Sequence, residues 1–223
     1  MRLLSATGHA SSARVLLAAG AMWGLEEALM GISCAAAGRP AWRGSLLAGT
    51  AFLFLSGARA AGLSRRGLIG AAAICAAIKL LGMAVGEVTP LLTRAAGPVF
   101  AYFLQAALWA AISPRADAPP PWRGLIARGA AAGLLAALLF PAVGLFTGVP
   151  ACIHAESGRY LSVHFATLTM LAAAASAPLG AAIVLRAQCS PALRRIVIEP
   201  KFALDGLSAA ALALTLLLAV WTR

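Results

Sequence analysis

Seven apolar stretches run along the chain, at residues 15–37, 44–63, 67–86, 96–113, 125–149, 160–185 and 202–221. Each is close to the roughly 20 residues a helix needs to cross a hydrocarbon core of about 30 Å. Alanine, leucine and glycine dominate them, and no period-two alternation of apolar and polar positions points to a barrel. The pattern predicts an all-α fold, a polytopic membrane bundle of seven transmembrane helices forming a single domain over residues 1–223. The connections are short; the longest include 114–123, with three consecutive prolines, and 186–201, which holds Arg194, Arg195 and Lys201.

Within these stretches small residues recur at helical spacing. Gly20, Gly24 and Ala28 do so in the first, Gly67, Ala71, Ala72 and Ala76 in the third, and Gly129, Gly133 and Ala137 in the fifth. In lipid no hydrophobic force pulls helices together, so close contact relies on small residues that let backbones approach. A tight bundle follows. Pro141 and Gly144 interrupt the fifth stretch and Pro178 the sixth, and kinks are expected there.

Composition narrows the class. Hydrophobic residues make up 61% of the chain and charged residues 11%, whereas a soluble domain carries about 25% charged residues. A soluble enzyme, a disordered chain and a coiled coil are excluded. Net charge is +11, from 16 arginines, two lysines and seven acids. Most of the arginines fall in short connections, where positive charge holds loops on the cytoplasmic side. One side collects ten basic residues and the other five, so the N-terminus is expected in the cytoplasm and the protein in the inner or plasma membrane. Arg59 and Arg128, just inside helix ends, are expected to snorkel toward the interface. Because the charge is accounted for in this way, no nucleic-acid partner is expected; the partner implied is the bilayer.

The four cysteines show no CxxC spacing and read as small buried residues, although Cys34 and Cys152 both fall near the outer face, where a disulfide would be feasible. The three histidines form no HExxH or HxxxH arrangement, so neither metal nor any other cofactor is expected. Asp205 is expected to pair with Lys201, four residues earlier.

Three ionisable side chains stand within apolar stretches: Glu26, Glu27 and Lys79. Placing one at bilayer depth costs at least about 2.5–3.5 kcal/mol, which demands a partner or a purpose. Glu27 and Lys79 each lie twelve residues into a stretch that runs outward, about 18 Å in, slightly past the midplane. Glu27 shares a stripe with Gly20, Trp23 and Gly24, and Lys79 with Ala72, Cys75 and Ala76, whereas Glu26 points about 100° away from Glu27. Glu27 and Lys79 are therefore expected to face into the bundle, either as a buried ion pair that locks the first helix to the third or as part of a site. The fourth helix adds Tyr102, Gln105 and Trp109 on one stripe. Aromatic walls with a few convergent polar groups make small-molecule pockets, so Trp23, Glu27, Lys79, Tyr102 and Gln105 are the expected solute-binding residues. A carboxylate and an ammonium together suit a solute of mixed polarity.

Three segments carry a resemblance. Trp23-Gly24-Leu25-Glu26-Glu27, the run GLIGAAAICAAIKLLG with Lys79, and EVTPLLTRAAGPVFAYFLQAAL together resemble the membrane-embedded substrate-binding subunits (S components) of energy-coupling factor (ECF) vitamin transporters. The likeness covers roughly residues 15–185. It implies a six-helix core, non-catalytic, that captures a vitamin or similar small solute from outside. It also implies docking on a transmembrane coupling protein through Gly20 and Gly24, with ATPase subunits powering transport; 202–221 would be an appended helix. The paired glutamates also resemble those of CPBP-type intramembrane proteases. That family's EExxxR is broken here by Gly31, and its FxxxH by Pro150 and Tyr160, four residues before His154 and His164. A non-catalytic membrane scaffold is the third reading.

Overall fold

A computed structural model describes residues 8–36, 40–86, 91–114, 122–147 and 160–189. All six elements in it are helices: α1 (Gly8–Ala36), α2 (Pro40–Ala60), α3 (Arg65–Gly86), α4 (Leu91–Ile112), α5 (Trp122–Thr147) and α6 (Tyr160–Cys189). Their alanine and leucine content gives them high intrinsic helix propensity. Pro98, Pro141 and Pro178 lie inside α4, α5 and α6, which are assigned as helix straight through them.

The turn between α2 and α3 is the best-defined stop in the chain. Gly62 adopts φ +92°, its N–H bonds to Arg59 O at 3.0 Å, and Leu63 N–H bonds to Ala58 O at 2.9 Å. This is the double closure in which a left-handed glycine satisfies the last carbonyls of a helix. Ser64 then caps α3, its hydroxyl accepting from Gly67 N–H at 3.1 Å. Arg59 is not left to snorkel: its guanidinium donates to Leu63 O at 2.9 Å and to Pro114 O at 3.2 Å, tying the turn to the end of α4.

Small residues set the packing. A Cβ on Gly49 would collide with Ala172, and one on Gly180 with the Leu53 carbonyl; Gly57 also faces the Gly180 carbonyl, so α2 and α6 run parallel with their backbones in near contact. Gly129 and Gly133 meet the carbonyls of Ala173 and Thr169 in the same way, holding α5 antiparallel against α6. On the other side, Gly20 faces Ile74 and Gly24 faces Ile78, which fixes α1 parallel to α3. Helix α4 packs against α3 and α5.

The core is rich in alanine, with Trp23, Phe52, Tyr102 and Trp109 as its large members. Many large aliphatic side chains lie on the outside, among them Ile126 and Leu138 of α5 and Leu171, Leu179 and Ile183 of α6.

Two segments, Trp122–Pro141 and Phe165–Cys189, are long and apolar enough to cross a membrane by length and composition, and Gly97–Ile112 is a shorter apolar helix. The expected seven spans are therefore not supported. Charges inside α1 (Arg14, Glu26, Glu27), α2 (Arg43, Arg59) and α3 (Arg65, Arg66, Lys79) depress their apolar character. The stretch 202–221 lies outside the described residues, as do the side chains of Cys34, Cys152, His154, His164, Lys201 and Asp205.

Candidate functional site

The register of α1 on α3 sets the level of the charges. With Gly20 opposite Ile74 and Gly24 opposite Ile78, Lys79 comes level with Leu25, two residues from Glu27, a difference of about 3 Å in height. Glu27 is buried at 6% exposure and Trp23 fully; Lys79 is half-buried. Cys75, one turn before Lys79 and fully buried, lies within the Coulombic reach of Glu27, Glu26 and Lys79.

Helix α4 supplies the opposite wall. Tyr102, Gln105 and Trp109 are 2%, 5% and 0% exposed, on one stripe. Trp23 and Tyr102 meet edge to face, with centroids 5.4 Å apart and planes at 68°. Two turns further along, Trp109 meets Phe52 of α2 similarly, at 5.8 Å and 63°. The Tyr102 hydroxyl lies near the Glu27 carboxyl group.

Helix α2 closes the third side. Thr50 Oγ1 donates to Glu26 Oε1 at 2.8 Å, and the carbonyls of Leu46 and Leu47 lie 3.0 and 3.2 Å from the same hydroxyl. A hydroxyl has one hydrogen to give, so Glu26 competes with the helix backbone for it. The other carboxylate oxygen, Glu26 Oε2, is buried without a partner among the described residues.

Unsatisfied polar atoms define the site. Among the described residues, Trp23 Nε1, Trp109 Nε1 and Gln105 Oε1 have no hydrogen-bond partner, nor does Glu26 Oε2. Each such buried group costs about 1–3 kcal/mol. Four together are comparable with the whole margin of about 5–15 kcal/mol by which a domain stays folded. Two are donors (the indole N–H groups) and two are acceptors, so the arrangement can engage a small molecule that carries both kinds of group.

The structure brings Trp23, Glu27, Tyr102 and Gln105 to one region, with Lys79 at its edge beside Cys75. It seats Gly20 and Gly24 elsewhere: both are buried against Ala71, Ile74 and Ile78, so the face expected to dock a coupling protein is taken up by α3. Glu26, Thr50 and Phe52 lie outside the expected set: Glu26 points away from Glu27 toward α2, whose Thr50 and Phe52 carry no charge to mark them.

No family model, curated protein or solved structure matches this chain.

Proposed function

We propose that the chain is a multi-pass membrane protein, N-terminus cytoplasmic, that captures a small solute between α1, α2 and α4 in the manner of an ECF S component. The reading is supported at the surface by large aliphatic side chains turned outward on α5 and α6, an arrangement suited to acyl chains rather than water. It is carried at the site by one observation, the buried polar atoms of Trp23, Gln105 and Trp109 that no described group satisfies. The solute is vitamin-like in size, with hydrogen-bonding groups at its edges and an aromatic or apolar body. Coupling and ATPase subunits would supply energy, and a coupling protein would have to meet a face other than Gly20 and Gly24.

The test is purification in lipid nanodiscs followed by native mass spectrometry. The expected result is a stoichiometric small molecule, released or weakened by Glu27→Gln and by Tyr102→Phe. Repeated preparations without any bound species, together with unchanged uptake in cells carrying Glu27→Gln and Lys79→Met, would overturn the reading.

A further inference from the structure

We infer that Glu26 is a solute-binding residue and that the solute it selects presents a protonated amine; this rests on the solute-capture reading above. Glu26 lies one turn after Trp23 on the same stripe of α1. Thr50 holds one of its carboxylate oxygens at 2.8 Å, which fixes the group's orientation and leaves Oε2 buried and unmatched. The same carboxylate is within Coulombic reach of Tyr102 and of Cys75, which places it beside the ring pair of Trp23 and Tyr102.

The chemistry of the unmatched atoms chooses among solutes. An ammonium group is a pure donor with three hydrogens. It can satisfy Glu26 Oε2, which no described group satisfies. Hydrogen bonds between ionised partners are roughly twice as strong as neutral ones, so an amine outcompetes an alcohol of the same shape at this carboxylate. A carboxylate solute meets repulsion there.

Three probes that share a phenyl ring separate the alternatives: 2-phenylethylamine, 2-phenylethanol and 3-phenylpropanoate, titrated calorimetrically into the full chain in nanodiscs. The amine is expected to bind at least tenfold tighter than either of the others. Glu26→Gln is expected to weaken the amine about tenfold while leaving the alcohol unchanged, and Thr50→Val to weaken it in the same direction by less. Thr50→Val also serves if Glu26→Gln fails to fold. Tighter binding of the alcohol or the propanoate, or amine binding that neither substitution touches, overturns the inference while leaving a solute site in place. Binding of none of the three overturns it as well, and the solute-capture reading then stands or falls on the copurified molecule alone.

Discussion

An indole nitrogen carries one hydrogen and accepts none, so burying it without an acceptor is a cost that only a bound group can recover. Trp109→Phe removes that donor and keeps a ring against Phe52. The expected stability change is within about 1 kcal/mol, against about 3–5 kcal/mol for truncation of a core aromatic to alanine. Affinity for the copurified solute should nevertheless fall. Thermal melts and binding isotherms of the same preparation check both halves. Arg59 is the contrary case, since its hydrogen bonds to Leu63 O and Pro114 O are made within the chain. Arg59→Ala should cost roughly 1.5–3 kcal/mol in a denaturant titration, with Arg59→Lys intermediate. Glu27 was legible in the sequence because a charge stands out in an apolar helix. The Glu26–Thr50 bond was not, because it depends on the register of α1 against α2, which no periodicity of either helix encodes.

At the level of elements, glycines decide which helices touch. Any side chain at Gly180 would run into the Leu53 carbonyl, and backbone cannot yield as a flexible side chain can. Gly180→Val should therefore separate α2 from α6 and leave little folded protein. Gly62→Ala, at the positive φ of the α2–α3 turn, has open space around it and should cost only about 1 kcal/mol or slightly more. Recovery of monodisperse protein on size-exclusion chromatography, and melts of what is recovered, rank the two. The Gly129/Gly133 seam could be read from spacing alone, since both lie on one stripe. The Gly49/Gly57/Gly180 seam could not: Gly180 has no small-residue ladder around it that differs from the rest of an alanine-rich helix, and its importance comes from where Leu53 arrives. Helix α1 starts at Gly8, before the apolar stretch from residue 15, and α6 runs on to Cys189, because a helix continues past the point where hydropathy falls.

For the molecule as a whole, many large aliphatic side chains of α5 and α6 lie on the outer surface, among them Leu138, Leu171, Leu179 and Ile183. If acyl chains cover that surface, Leu138→Asp or Ile183→Asp should impair insertion by about 2.5–3.5 kcal/mol near the bilayer centre. Alkaline carbonate extraction should leave the unmodified chain in the membrane pellet and shift the aspartate variants toward the soluble fraction; equal behaviour would remove the membrane reading. Composition disclosed the all-helical class, but the number of crossings was beyond it, because charges within α1 to α3 make helix length and apolar length different quantities. The seams also divide the bundle unequally. Helices α2, α5 and α6 are joined backbone to backbone, whereas α1 and α4 meet α2 through the Thr50–Glu26 bond and the Phe52–Trp109 rings. A solute that parts α1 and α4 from α2 therefore has only side-chain contacts to undo and leaves the backbone seams closed.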